Sequence, residues 1–132
     1  MRPAAFQDYA IDLFKNAADV QRVQTLAEAG DTQHPYGLAL TVAGRDTRWQ
    51  VIGQLAEGAK HDAVTAPVEG TPASFEAAPV TGAPDAWLAS VIGAAESPEI
   101  ASLDVWSARE GSDGHGVTIG WHNGEKTFVR KI

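Results

Sequence analysis

The sequence predicts an α+β fold made of two tandem αβββ units, with an antiparallel sheet of about six strands and two helices packed on one face. Three observations predict it. Apolar stripes at helical spacing occur twice, about 78 positions apart. A hairpin pattern occurs twice, about 79 positions apart, and each stripe precedes its hairpin. One αβββ unit has too small an apolar face to fold alone, whereas two units related by a pseudo-two-fold axis can share a core.

We expect a single domain over residues 1–132, with repeat 1 at about 3–55 and repeat 2 at about 84–132. The connecting segment 56–83 is rich in proline and glycine and has few large apolar residues. A wholly structureless loop of that length is unusual, so we expect the segment to wrap the surface. Four apolar residues could anchor it to the core: Val64, Val68, Phe75 and Val80.

The two helices follow from their apolar stripes. The first is predicted over about Pro3–Ala17, with Pro3 suited to a first turn. The second begins at Pro84 and ends before Pro98, because a proline disfavours helix in the residue before it. The stripes correspond position by position: Tyr9, Ala10, Leu13, Phe14 and Ala17 in one, and Trp87, Leu88, Val91, Ile92 and Ala95 in the other.

A strand is predicted after each helix. The pattern of Val20–Ala27 fits helix or strand, but its counterpart Ser102–Ser107 has the β-branched and aromatic residues typical of strands. We therefore predict a strand over Arg22–Glu28, in which Leu26 matches Trp106.

Each repeat then ends in a hairpin. The second joins residues 116–122 to 126–132 across Asn123-Gly124, a dipeptide typical of type I′ turns, which need positive φ at both central residues. The first joins residues 36–43 to 47–55 across Gly44-Arg45-Asp46. At a constant offset, Gly37 matches Gly116 and Trp49 matches Phe128.

Composition restricts the class of function. The net charge of −7 argues against non-specific binding to nucleic acid, which needs clustered Lys and Arg. The chain has no cysteine, which removes disulfides, thiolate metal sites and cysteine nucleophiles. No apolar run is long enough to span a bilayer or serve as a signal peptide, so we expect a soluble, cytoplasmic protein without membrane partners. The heavy use of Ala, Gly, Val and Asp suggests a GC-rich bacterial genome.

Two loops suggest a metal or ligand site. Asp31 precedes His34 after the first strand of repeat 1, and Asp113 precedes His115 in repeat 2. Carboxylate and imidazole groups bind divalent metals, and a symmetric fold could bring the two loops together. The competing interpretation is that Asp and Gly occur there because they favour turns.

A partner surface is the other candidate site. Trp106 alternates with Asp104, which places it on the strand face opposite Leu103. We expect an exposed sheet face that carries Trp106, Leu26, Arg48 and Gln50. Alternatively, the connecting segment 56–83 covers that face.

The function expected from these features is a non-enzymatic protein-binding or adaptor module of a bacterium or its mobile elements, with a protein partner and no cofactor. No catalytic motif is present in the sequence. One alternative is a small-ligand- or metal-binding protein, or an enzyme, with its site between the repeats. Another is an acidic inhibitor that mimics DNA. A sheet edge such as Phe128–Ile132 could also pair with a second copy, giving a homodimer.

Overall fold

The computed structural model describes residues 1–63 and 65–132, and it confirms the α+β class. The predicted anchor Val64 lies outside the described residues. Within them the elements are, in chain order, α1 (Pro3–Lys15), β1 (Val20–Thr25), β2 (Gly37–Val42), β3 (Arg45–Gln54), α2 (Pro84–Ala94), β4 (Ile100–Val105), β5 (Gly116–Trp121) and β6 (Lys126–Lys131). A short 3-10 helix, Trp106–Ala108, follows β4. No helix among the described residues is long and apolar enough to cross a membrane.

The strands form one antiparallel sheet in the order β1-β2-β3-β6-β5-β4. Each repeat contributes a three-stranded meander, and the two meanders join where β3 pairs with β6, with Val51 opposite Val129. The pseudo-two-fold axis passes through this seam, so β1 and β4 are the two edges. With neighbouring strands about 4.8 Å apart, the edges are separated by roughly 24 Å.

Both helices cover the same face of the sheet and share one apolar core. α1 packs on β1, β2 and β3, whereas α2 packs on β4 and β5. The aromatic rings of Phe14 and Trp87 are 5.8 Å apart across the two helices. Phe6 of repeat 1 packs edge-on against Trp121 of repeat 2, with the ring centroids 6.3 Å apart. Neither repeat therefore has a separate hydrophobic core.

The correspondence between the repeats extends to irregular details. Both edge strands carry an irregularity at the equivalent place, between Val20 and Arg22 and between Ile100 and Ser102. The first residue of each middle strand is a glycine whose N–H donates to a helix side chain. Gly37 donates to Gln7 Oε1 and Gly116 to Asp85 Oδ2, both at 3.0 Å. These shared features agree with the αβββ–αβββ pattern.

The prediction of a type I′ turn at Asn123-Gly124 is wrong. Gly124 has φ +90°, but Asn123 does not have positive φ. The Asn123 side chain instead accepts the N–H of Glu125 at 3.0 Å, the local bond typical of an Asx turn. It is the first hairpin that has a two-residue turn with positive φ, at Ala43 (48°) and Gly44 (80°).

Because the two turns differ in length, the positions of β3 and β6 that correspond to each other are offset by one residue from those predicted. Thr41 pairs with Asp46, while its counterpart Gly120 pairs with Lys126, so the second hairpin holds one extra residue. The equivalent of Trp49 is therefore Val129, not Phe128 as the constant offset predicted. Trp49 and Val129 are buried in the core.

The strand predicted over Arg22–Glu28 is shorter and lies earlier in the chain, because local hydrogen bonds turn the chain at Thr25. Thr25 Oγ1 accepts the N–H of Glu28, and Glu28 Oε1 accepts the N–H of Thr25, both at 3.0 Å. Gly30 completes the turn with φ +93°. Likewise Trp106 leaves the strand and begins the 3-10 helix, and β3 begins at Arg45 rather than Thr47.

The connecting segment wraps the helix-bearing side of the molecule. Gly70 donates its N–H to the carbonyl of Pro98 at 2.7 Å, and Ala78 donates to Ser90 Oγ on α2 at 3.2 Å. Phe75 packs against Gly93 of α2, although 38 % of its surface stays exposed. Of the predicted anchors, Val80 packs against the core, whereas Val68 is 48 % exposed.

Candidate partner-binding site

The sheet face opposite the helices, here called the outer face, is defined by the alternation of side chains along β3 and β6. In β3, Trp49 and Val51 are buried in the core, so Arg48, Gln50 and Ile52 project from the outer face. In β6, Phe128 and Arg130 alternate with buried neighbours in the same way and project from the outer face too.

Five residues at the seam between the repeats form what we call the central patch: Arg48, Gln50, Ile52, Phe128 and Arg130. Ile52 is paired with Phe128 across the seam, and Gln50 with Arg130. Arg130 Nη2 donates to Gln50 Oε1 at 2.9 Å. Ile52 is 40 % exposed, and the arginines are exposed. The patch therefore combines an accessible apolar pair with two cations.

The positive charge of the patch is not neutralised within the described part of the chain. No carboxylate there lies within 4.0 Å of Arg48 or Arg130. Arg48 makes a long contact, 3.5 Å, to the carbonyl oxygen of Ala29. Arg22 and Lys126, which are exposed, add two further cations on the outer face.

Two loops rise over this face at opposite corners of the sheet. Leu26 packs on the outward side of Gly37, where a Cβ would lie 2.3 Å from Leu26 Cδ1. Trp106 packs in the same way on Gly116, where a Cβ would lie 2.5 Å from the indole ring. The indole N–H of Trp106 donates to Thr118 Oγ1 at 2.8 Å. The repeated glycines thus leave room for one large side chain per repeat.

The four predicted partner-binding residues consequently have different positions. Arg48 and Gln50 lie in the central patch. Trp106 is half-buried at one corner, with the Arg109 guanidinium 5.7 Å from the centre of its ring. Leu26 is fully buried at the opposite corner, so it is not part of an exposed surface. The glycines under Leu26 and Trp106 lie in one cross-strand row with Gln50 and Arg130, so the space between the two large side chains runs along β3 and β6.

The predicted metal-binding residues do not form one group. Asp31 and His34 are together, with Oδ2 and Nδ1 2.8 Å apart. Asp113 is exposed, and the His115 ring faces Asp85 instead. The two loops lie at opposite corners because the pseudo-two-fold axis relates them through the seam. Within residues 1–63 and 65–132, no three His, Asp or Glu side chains are close enough to hold a metal ion.

Asp31 instead stabilises its own loop. Its Oδ1 accepts the N–H groups of Gln33 and His34 at 2.8 and 3.0 Å. The hydrogen bond from the His34 ring, with these two backbone bonds, lowers the pKa of Asp31 to about 2. This arrangement accounts for an acid three residues before a histidine without a metal ion.

Asp85 is a fully buried carboxylate at the start of α2, and sequence reasoning missed its role. It accepts the N–H and Oγ–H of Ser107 at 2.9 and 2.6 Å, besides the N–H of Gly116. His115 Nδ1 is 3.5 Å from Oδ1. Burial raises the pKa of Asp85, but the hydrogen bonds from Ser107, Gly116 and His115 outweigh burial and hold the pKa below its usual value.

These contacts do not make a Ser-His-Asp triad. In a triad the serine hydroxyl bonds to the histidine, whereas here the Ser107 hydroxyl donates to the carboxylate itself. The cluster fastens the loop after β4 to the start of α2. Its sequence signal was the alignment of Asp85 with Gln7, which makes the equivalent bond to Gly37.

Three residues of the central patch were also missed. Ile52 continues the alternation that identified Arg48 and Gln50, so that signal was present in the sequence. Phe128 and Arg130 were missed because the constant offset matched Phe128 with the core residue Trp49. Comparisons with protein-family models, curated proteins and solved structures found no match to this chain.

Proposed function

We propose that this chain is a non-enzymatic protein-binding module that binds its partner through the central patch of the outer face. One observation carries the proposal: two arginines lie on one side of the apolar Ile52–Phe128 pair, in which Ile52 is exposed and Phe128 is half-buried. Among the described residues, neither arginine has a carboxylate within 4.0 Å. Exposed apolar side chains beside arginine are typical of the energetic centres of protein interfaces. The bacterial origin and cytoplasmic setting suggested by composition are part of this proposal.

The layout of the molecule supports the choice of face. The contacts of residues 65–83 lie on the helix-bearing side and on neighbouring loops, and they leave the patch open. Ordered strands hold the patch residues, with cross-strand pairs on both sides of the seam. A rigid surface loses little conformational entropy on binding, which favours recognition.

The alternatives have less support. A ligand or metal site between the repeats would need the two Asp-His loops to meet, and they lie at opposite corners. Mimicry of DNA would need a row of carboxylates, whereas the outer face carries mainly basic side chains. Neither alternative has a favourable observation of its own.

The proposal can be tested by site-specific photocrosslinking in the native host. A benzophenone amino acid replaces Ile52 in the patch, or Asp12 on the exposed side of α1 as a matched control. We expect a protein that crosslinks at position 52 and not at position 12. The purified partner should then bind the wild type at least about tenfold more tightly than Ile52→Arg, because a charge would replace a buried apolar contact. Equal crosslinking at both positions, or equal affinity for Ile52→Arg, would contradict the proposal.

A further inference from the structure

We propose that the patch recognises an acidic, elongated polypeptide segment that carries apolar side chains. This inference rests on the proposed function and adds the chemistry of the partner. It is based on the contrast between the basic outer face and the negative net charge of the whole chain.

The contrast is seen by counting charges. The outward-facing strand positions carry four basic side chains, from Arg22, Arg48, Lys126 and Arg130. Against them stand two acids, Asp46 and Asp104, and both already accept hydrogen bonds from this chain, from Thr41 and Arg109. The other fifteen acidic residues and six basic ones are in the remaining parts of the chain, including the loops beside this face. A net charge of −7 therefore coexists with a positive face.

Arg48 and Arg130 are the cations most available to a partner. Arg130 is opposite Gln50, two residues from Arg48 on the same face, so the two arginines are diagonal neighbours. Like charges at this separation repel each other, and a carboxylate placed between them relieves the repulsion. Arginine binds carboxylates through two parallel hydrogen bonds, which adds geometric selectivity.

The apolar pair and the corner loops restrict the shape of the partner. Ile52 and Phe128 lie next to the arginines, so a bound segment needs apolar side chains close to its acids. Leu26 and Trp106 pack on Gly37 and Gly116, at the two ends of one cross-strand row. The path between these two side chains therefore runs along β3 and β6, parallel to the seam. A strand or helix fits this path better than a broad flat surface does.

Two other occupants fit less well. A second copy bound face to face would bring two positive patches together, which is electrostatically unfavourable. A nucleic acid would be repelled by the acidic remainder of the molecule. In addition, the indole ring of Trp106, the best stacking group on this face, is already packed on Gly116 and faces Arg109.

The test is a selection of random peptides of about twelve residues displayed on phage, with the full chain immobilised. We expect the enriched peptides to carry a net negative charge and aromatic or aliphatic residues. A fluorescent synthetic copy of one such peptide should bind at least about tenfold more weakly to Arg48→Glu/Arg130→Glu. Arg48→Gln/Arg130→Gln should lose less, because it removes attraction without adding repulsion.

The matched control is Lys15→Glu/Lys60→Glu. It changes the net charge by the same amount as Arg48→Glu/Arg130→Glu, but at exposed positions away from the patch. It should bind within about twofold of the wild type, since screening weakens distant exposed charges. Circular dichroism of every variant checks that the fold is intact. These substitutions are at exposed positions, so all variants should fold.

The outcomes separate the two proposals. Enriched peptides that bind the patch but lack excess acid would overturn this inference and leave the proposed function intact. Peptides insensitive to both Arg48→Glu/Arg130→Glu and Ile52→Arg, or no enrichment at all, would overturn both. Displacement of an enriched peptide by a 20-nucleotide thymidine strand at physiological salt would point to nucleic acid and overturn this inference as well.

Discussion

Gly37 is the residue at which an added methyl group has the least room. A Cβ there would lie 2.2 Å from the carbonyl oxygen of Trp49 and 2.3 Å from Leu26 Cδ1. We predict that Gly37→Ala lowers the free energy of unfolding by about 1–3 kcal/mol, because overpacking moves both the backbone and a buried side chain. Gly114→Ala is the control, since its nearest neighbour would be Ser112 Oγ at 4.0 Å, and its change should stay within about 0.5 kcal/mol. Urea unfolding measures the stability of both variants. Equal unfolding midpoints for Gly37→Ala and Gly114→Ala would refute the prediction.

Asp85 should make stability depend on pH. Although burial raises its pKa, hydrogen bonds lower the pKa of Asp85 in the folded state below its unfolded value, so the unfolded state binds the proton more readily. The contribution of Asp85 to stability is therefore present above the unfolded pKa of about 3.9 and is lost as pH falls through the folded value. Asp85→Asn should unfold at lower urea concentration at pH 7 and approach the wild type in acid. A constant difference at all pH values would argue against this assignment.

His34 should control the ionisation of Asp31. The largest effect on Asp31 is the hydrogen bond from the His34 ring, which together with the backbone bonds from His34 and Gln33 lowers the pKa of Asp31 to about 2. We predict that His34→Ala raises the pKa of Asp31, measured by NMR titration of the carboxyl carbon. Asp113→Ala, at the exposed acid of the other loop, should leave it unchanged. No shift in His34→Ala would mean that the side-chain bond is absent in solution.

At the scale of elements, the two-residue turn of the first hairpin holds an unfavourable residue. Ala43 has φ 48°, a conformation that alanine adopts at a cost of about 1 kcal/mol and that asparagine tolerates better. We predict that Ala43→Asn raises the free energy of unfolding by about 0.5–1 kcal/mol, since it creates the Asn-Gly pair favoured in type I′ turns. Ala101→Asn on the exposed edge strand β4 should not stabilise, because asparagine is disfavoured in strands. Thermal unfolding compares both variants with the wild type. A Tm for Ala43→Asn below that of the wild type would disprove the prediction.

Periodicity identified the elements correctly, but local chemistry decided where they end. The helices and the order of elements along the chain followed from the sequence pattern, because both helices bury an apolar face against the sheet. The pattern of residues 22–28 could not reveal the paired Thr25–Glu28 bonds that end β1. Nor could the Asn123-Gly124 signal show that the Asn123 side chain bonds to the backbone of Glu125.

At the scale of the whole molecule, the shared core should make the repeats depend on each other. Phe6 packs on Trp121, and Phe14 on Trp87, across the boundary between them. We predict that fragments 1–55 and 84–132 are unfolded alone, with poorly dispersed NMR spectra, because each would expose its half of the core. The full chain, as the control, should unfold in one transition. A well-dispersed spectrum of fragment 84–132 alone would contradict this.

The candidate site was only partly predictable because it depends on which strands meet. Arg48 and Gln50 follow from alternation beside the core residue Trp49 within one strand. Phe128 and Arg130 join them only because β3 pairs with β6, and one extra residue in a turn decides which face they occupy. The Asp85 cluster unites residues from three separate segments, which no local pattern encodes.

The extra residue in the second hairpin gives the outer face a direction. It matches Arg48 with Phe128 and Gln50 with Arg130 across the pseudo-two-fold axis, so a symmetric framework carries unlike groups at related places. A ligand turned end for end would place its carboxylates over an aromatic ring and its hydrocarbon groups over a guanidinium. The two halves of the outer face are therefore not interchangeable, although the pseudo-two-fold axis relates their strands.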